Sequence, residues 1–311
     1  MLRIYACGGT GTNIITQIPN INIDPCYIDT SKSNLSEVDE QLTFLTPDMD
    51  GGGKNRALVY EKFQHHVEDI LVRFKPSAQL NVVISSLSGG SGSIIGPLVT
   101  KELISKGYNV IVIGVESQHS IKEMDNTVKA LMTYQSFSNI CKKPISLYYV
   151  KNTTRSEADQ QAIRFINLLT LLVSKEHTAE FDTADLMNFI NYTNVTDNQP
   201  TVSVIEVNLN EVVIPEKGTS LVSTILFSNN PTEALNVNPS MASTKPEYLA
   251  TCVITDPEYK ITGGRMDNFI GKLPLIVGEL EKTIKEHKDN KQLNKIADLK
   301  VHDTANGGVV L

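Results

Sequence analysis

The sequence predicts an α/β fold: a parallel-sheet domain, a central helix, and a smaller α+β C-terminal domain. Three observations carry this. In the first half of the chain, short runs rich in Val, Ile, Leu and Tyr alternate with amphipathic stretches, the pattern of parallel strands covered by helices. Two of those runs pass directly into glycine-rich turns and then into apolar helix starts. Later, a stretch of about twenty residues is apolar around most of its circumference, as a helix buried on several sides must be.

Taken in order, the predicted strands of the first domain are Leu2–Ala6, Pro25–Ile28, Leu80–Ser85, Asn109–Val115 and Pro144–Val150, and most end in Gly, Ser, Asp or Asn. In open α/β sheets ligands sit beyond the carboxyl ends of the strands, which is where the glycines lie. The apolar helix follows at Glu157–His177, with Ala162, Phe165, Ile166, Leu168, Leu169, Leu171 and Leu172 spread around it. Then come strands at Thr201–Leu209, Thr219–Ser228 and Glu247–Ile254, with turns such as Ser228-Asn229-Asn230-Pro231, and an amphipathic helix at Pro274–His287. The expected division is residues 1–155 for the nucleotide domain, 156–178 for the central helix, 179–288 for the C-terminal domain and 289–311 for a flexible tail with the apolar tip Val309-Val310-Leu311.

Composition narrows the function. With 41% hydrophobic and 20% charged residues over 311 positions, disorder as the general state is excluded and a real core is expected. No run is long and apolar enough for a membrane-spanning helix, and Met1-Leu2-Arg3-Ile4-Tyr5-Ala6 reads as a first strand, not a secretory signal. Cys7, Cys26, Cys141 and Cys252 are scattered and form no CxxC pair, so neither disulfides nor a zinc site is expected and a reducing cytoplasm is the natural setting. The six histidines show no HExxH spacing, and no metal site made by protein ligands is expected. A formal charge of −7 without a basic block disfavours direct nucleic-acid binding. A phosphate ligand would have to be held by backbone N–H groups, helix ends and a metal ion.

The glycines supply those N–H groups. The first strand runs into Gly8-Gly9-Thr10-Gly11-Thr12-Asn13, and the strand at Leu80–Ser85 into Ser88-Gly89-Gly90-Ser91-Gly92-Ser93. Each loop opens a helix, so two helix N-termini are aimed at one anion. Gly51-Gly52-Gly53 lies in a connection from which it could close over a terminal phosphate. A single such loop is more often a tight turn, but three in one α/β half favour a phosphate cradle. No GxxxxGK[ST] occurs, which excludes a P-loop NTPase. Ile14 stands where a dinucleotide fingerprint needs its third glycine, yet Asp29, at the end of the second strand, could imitate the ribose-binding acid. A Rossmann-type NAD-binding oxidoreductase is therefore the rival reading.

These loops resemble those of the tubulin and FtsZ superfamily, and most of all those of phage-encoded tubulins. Ser88–Ser93 is similar to the GGGTGSG signature loop with serines at two positions. Gly8–Asn13 resembles the first phosphate loop and Gly51–Gly53 the loop that senses the terminal phosphate. The resemblance implies a GTPase that binds GTP or GDP with Mg²⁺ and polymerises head to tail with copies of itself. It implies that Asn152 and Asp159 read the guanine, since a carboxylate can accept from both N1–H and the 2-amino group, which adenine cannot offer. By the residues alone, Asp159 could equally be an acid near a positive helix end. The loop from Glu116 to Asn126 would touch the ribose, with Asn126 the residue singled out. The resemblance further implies a tail that docks on the adjacent subunit, and filaments that position phage DNA in the cytoplasm of an infected bacterium.

Glu180-Phe181-Asp182-Thr183-Ala184-Asp185 resembles the family's hydrolytic loop, which makes Asp182 and Asp185 the implied catalytic acids. The residues alone favour another reading, a helix N-cap with an acid at the third helical position; both can hold. A helix of about twenty residues spans roughly 30 Å, so these acids would serve the nucleotide of the next subunit. A non-hydrolysing filament protein that binds GTP only to assemble is the second rival, and the two acids argue against it.

Overall fold

The computed structural model describes residues 1–19, 22–152, 154–174, 181–208, 216–227, 246–254 and 264–305, with residues 291–305 as helix backbone only. Ten strands among these form one mixed sheet: β1 (Leu2–Cys7), β2 (Ile23–Asp29), β3 (Thr43–Leu45), β4 (Asn81–Ser86), β5 (Val110–Val115), β6 (Ile145–Val150), β7 (Val202–Asn208), β8 (Ser220–Phe227), β9 (Tyr248–Cys252) and β10 (Arg265–Ile270). Their order is β3-β2-β1-β4-β5-β6-β7-β10-β8-β9. From β3 to β7 every pairing is parallel, and β10 lies antiparallel between β7 and β8.

The helices are α1 (Gly8–Ile15), α2 (Arg56–Phe63), α3 (Val67–Arg73), α4 (Gly92–Ser105), α5 (Ile121–Cys141), α6 (Arg155–Ser174), α7 (Thr183–Ile190) and α8 (Lys272–Ala305). They cover both faces. Ile84, Ile111 and Ile113 point to a core shared with α1, α6 and α7, while Val83, Val110 and Val112 point to one shared with α2 to α5 and α8. With both faces of a strand buried, its alternation vanishes and it reads as a continuous apolar run. The expected α6 is a central helix in this sense: Ala162, Phe165, Ile166, Leu168, Leu169 and Leu172 are buried. Phe165 stacks on Tyr148 of β6 at 3.8 Å between ring centroids. The last expected turn of that helix, to His177, lies outside the described residues.

Two strands were not expected from the sequence. β3 has three residues, too few to show a period. β10 carries Asp267 and Asn268 at its middle and reads as polar, yet both are fully buried. Arg265 pairs with Asp267 at 2.6 Å and Thr224 donates to it at 2.8 Å, while Asn268 donates to the Phe189 carbonyl at 3.1 Å. A buried polar strand is tolerated when its polar groups find partners; here most of them do, from Arg265 on the same strand and from Thr224 and Phe189 on distant segments, while the Asn268 Oδ1 has none among the described residues. The last helix also extends past its expected end at His287. No glycine or proline occurs between Gly278 and Gly307, and the backbone stays helical to Ala305, so the first part of the expected tail is helix. The apolar tip Val309-Val310-Leu311 lies outside the described residues.

Candidate functional site

Beyond the carboxyl ends of β1, β4, β5 and β6 lies a cleft of about 490 Å³. Two helices open on it. Neither α1 nor α4 has a side-chain cap or an acidic residue in its first turn, so their leading N–H groups are orphan donors with the positive ends of two helix dipoles behind them. Gly8 adopts φ +77°, and a Cβ there would lie 2.8 Å from the Gly92 nitrogen. The two helix starts touch, as the paired loops of the sequence led one to expect. Gly8, Gly9, Thr10 and Asn13 line one side, and Ser88, Gly89, Gly90, Ser91 and Gly92 the other.

The third glycine loop packs against the outside of the second. A Cβ on Gly90 would meet the Gly52 carbonyl oxygen at 2.7 Å, and one on Gly52 would meet the Ser91 nitrogen at 2.8 Å. Gly51 and Gly53 flank this contact with φ of +91° and +51°. Arg56 ties the loop down by a specific debt. Pro97 sits inside α4 and has no N–H for the carbonyl four residues earlier. That carbonyl belongs to Ser93, and the Arg56 guanidinium donates to it at 2.5 Å. Asn126 is a second tie. It is fully buried, and its Nδ2 donates to the carbonyls of Ser88 at 3.0 Å and Lys54 at 3.2 Å. Asn126 thus braces two glycine loops from behind the cleft wall. Gly11, Thr12 and Ser93 also lie behind it: Gly11 is pressed against Ile84 of β4, the Thr12 hydroxyl is buried, and the Ser93 hydroxyl donates to the Gly89 carbonyl.

At the other end of the cleft, Asp159 of α6 accepts on Oδ2 from Asn13 at 2.9 Å and from Gln17 at 3.4 Å. Asn152, just past β6, lines the same end, and its buried Oδ1 has no partner among the described residues. Arg155 stands one helical turn before Asp159. This end therefore carries side-chain acceptors on Asp159 and Asn152, while the glycine end offers backbone donors to an anion.

Asn34 lines the cleft from a loop the sequence reading did not name, whereas Glu116, Ser117, His119 and Glu123 line it from within the expected Glu116–Asn126 loop, where only Asn126 was singled out. The rule that ligand loops follow every strand of a parallel sheet could have pointed to the loop after β2 as well. Asn34 is held by Asp29, whose Oδ2 accepts from its Nδ2 at 2.7 Å. Asp29 is fully buried and also accepts from the Thr30 and Ser31 nitrogens. Burial raises its carboxyl, and these hydrogen bonds only partly offset that. It shapes a loop and does not itself face the cleft. Glu116 is gripped by the Tyr149 hydroxyl and, at 2.9 Å, by Gln118. For Glu123, burial alone would raise the carboxyl, but the hydrogen bond and charge of Lys54 and the Ser117 and Ser120 hydroxyls hold it below its ordinary range.

Asp182 and Asp185 form the capping box that the residues favoured. Asp182 accepts from Ala184 and Asp185 nitrogens at 2.7 and 3.1 Å, and Asp185 accepts from the Asp182 nitrogen at 3.1 Å. Asp185 also accepts from the Tyr248 hydroxyl at 2.7 Å; burial, and then this bond, push the Tyr248 hydroxyl up to about 12. Asp182 is exposed. Glu180 lies outside the described residues. The far end of α7 is fastened to the amino ends of the parallel strands: Ser146 of β6 donates to the Ile190 carbonyl, and Asn191 to Asn109, just before β5. The cleft lies beyond the carboxyl ends of those strands. With α6 between them, a 20-residue helix of about 30 Å, neither acid reaches the cleft of its own chain.

A second groove, of about 440 Å³ beside the start of α8, is lined by Tyr148, Lys272 and Glu279 among others, and none of the three glycine loops reaches it. Among the described residues, no group of three or more His, Cys, Asp or Glu is placed to hold a metal ion, and no helix is long and apolar enough to cross a membrane.

No family model matches the chain. A phage tubulin-like protein of Pseudomonas phage PhiPA3 is 32% identical over 195 residues, 61% of each protein, so the match spans less than two thirds of that relative's length. Among solved structures, the protofilament of TubZ from bacteriophage PhiKZ superimposes with a TM-score of 0.78 at 23% identity, covering 95% of this chain and 92% of that one. The phage tubulin PhuZ with GDP gives a TM-score of 0.78 at 20% identity, covering 93% and 92%.

Proposed function

We propose that this chain, which is tubulin/FtsZ-like and akin to phage tubulin-like proteins, is a GTPase that assembles head to tail and hydrolyses GTP at the junction between subunits. The observation that carries the reading is the pairing of two uncapped helix N-termini with a carboxylate at the opposite end of one cleft. Phosphates take the N–H groups of Gly8 to Thr10 and Gly90 to Gly92; the Gly89 N–H donates to the Ser86 hydroxyl at 3.1 Å. Guanine takes Asp159, whose carboxylate accepts from N1–H and the 2-amino group, and the unpartnered Oδ1 of Asn152 accepts at the ring edge. The PhuZ structure with GDP supports a guanine nucleotide.

Mg²⁺ would arrive with the nucleotide, and bound there it would supply charge to offset the phosphates. The donor set fits this, because the carboxylates that line the cleft, Glu116, Glu123 and Asp159, are each engaged by protein groups, while the phosphates meet backbone donors. Asp182 and Asp185, exposed or half-buried at the other pole, meet the neighbour's terminal phosphate in a head-to-tail stack, where they orient a water for in-line attack. A heterologous contact of this kind does not close and yields filaments; the protofilament form of PhiKZ TubZ supports it. In the cytoplasm of an infected bacterium, such a filament would position phage DNA without binding it directly.

The test is GTP turnover per subunit against protein concentration. Turnover near zero below a threshold and rising above it is the expected result. Constant specific activity would place a complete site in each monomer, and binding of GTP with filaments but no turnover at any concentration would make the chain a structural relative.

A further inference from the structure

Lys54 directly follows the third glycine loop, Gly51–Gly53. Its position is unusual in three ways. Its backbone takes φ +56°, a left-handed conformation that glycine or asparagine holds more easily. Its nitrogen lies where the second loop presses in, 2.9 Å from the place a Cβ on Gly90 would occupy. Its carbonyl is fastened by Asn126. The backbone is thus fixed beside the phosphate end of the cleft, while the side chain is half exposed. In this structure its ammonium meets Glu123 at 2.8 Å, and the Glu123 side chain is only 14% exposed. Glu123 also accepts from Ser117 at 3.1 Å and lines the cleft wall.

We propose that Lys54 is the residue that discriminates a nucleoside triphosphate from a diphosphate, and that Glu123 is its exchange partner, holding the ammonium at the cleft wall until a terminal phosphate competes for it. The inference deepens the reading of the cleft as a guanine-nucleotide site and rests on it. One ammonium stands between two anions. A diphosphate bound at the N–H groups of Gly8 and Gly92 leaves the pair undisturbed. A third phosphate adds charge on the side of the third glycine loop, and a lysine, with three donors and a compact charge, turns to it. The Asn126 tie keeps the loop in place while the side chain changes partner. Glu123 therefore opposes triphosphate binding unless Lys54 moves, and the difference between the two nucleotides is written in this pair.

The experiment measures dissociation constants of the full chain for GDP and for a non-hydrolysable GTP analogue, below the assembly threshold. Lys54→Asn removes the charge while tolerating the left-handed backbone. It is expected to weaken the triphosphate about tenfold and the diphosphate less than about twofold. Lys54→Arg, which keeps a cation, should restore most of the triphosphate affinity. Glu123→Gln should strengthen the triphosphate relative to the diphosphate by a few-fold, because its competitor is gone. Equal weakening of both nucleotides by Lys54→Asn would show a merely structural lysine and overturn the proposal. So would a Glu123→Gln variant that loses triphosphate preference together with Lys54→Asn. A wild-type chain that binds neither nucleotide would instead fell the underlying reading of the cleft, and this inference with it.

Discussion

Asn13 donates its side-chain amide to Asp159 at 2.9 Å across 146 residues of chain. The bond joins the first glycine loop to the first turns of the central helix. It lands on Oδ2, at the end of the cleft that the proposed reading gives to the base.

Asp159→Asn therefore tests base recognition. An amide replaces one acceptor by a donor, which clashes with the N1–H and 2-amino groups of guanine but suits the 2-oxo group of xanthine. GDP affinity should fall by about tenfold or more, and preference should shift toward xanthosine diphosphate in a competition titration. Unaltered discrimination between the two bases would remove Asp159 from the base site.

At Asp182, capping and catalysis can be separated. Asp182→Ala loses the cap of α7 and should cost about 1 kcal/mol in stability as well as turnover. Asp182→Asn keeps a capping oxygen, so its denaturation midpoint should match the wild type while turnover at saturating protein falls by about 10²-fold or more. Filaments sedimented from the same samples should persist. Normal turnover in Asp182→Asn would leave the residue a cap and nothing else.

Gly90 and Gly53 differ in why they are glycine. A Cβ at Gly90 meets backbone atoms of Gly52 and Lys54, at 2.7 and 2.9 Å, whereas one at Gly53 meets nothing within 4 Å. Gly90→Ala should therefore push the third loop off the second, costing about 1–3 kcal/mol and much of the nucleotide affinity. Gly53→Ala carries only the backbone cost of its φ, about 1 kcal/mol, and should bind nucleotide nearly as well. Urea denaturation and a GDP titration on both variants decide; equal losses would contradict the packing account.

Glu123 gives the molecule an acid-side dependence with a defined sign. Its folded value is depressed below the ordinary 4.5, so its contribution to stability is present above that value and lost as pH falls through the folded one. Glu123→Gln has no such contribution to lose. Its stability deficit relative to wild type should shrink as pH is lowered below about 4.5, followed as the urea midpoint at each pH. Two curves that stay parallel would mean that the Lys54 pair does not set the Glu123 titration.

The sequence by itself determined the sheet-and-helix alternation, the central helix and the two glycine loops that open α1 and α4, because each is written in contiguous residues: apolar runs, helical period, glycine after a strand. It also carried the capping box at Asp182. Only the tertiary structure decided that Asn126 braces loops from behind, that Asp29 supports Asn34, and that Glu116 and Glu123 are among the residues of the expected Glu116–Asn126 loop that line the cleft. It alone showed β10 at the heart of the sheet. The reason is the same in each case: a polar side chain takes its role from the partner it meets, and here those partners, Lys54 for Glu123, Tyr149 for Glu116, Thr224 for Asp267, come from other segments of the chain. Local pattern records which groups need a partner, and folding chooses which one they get.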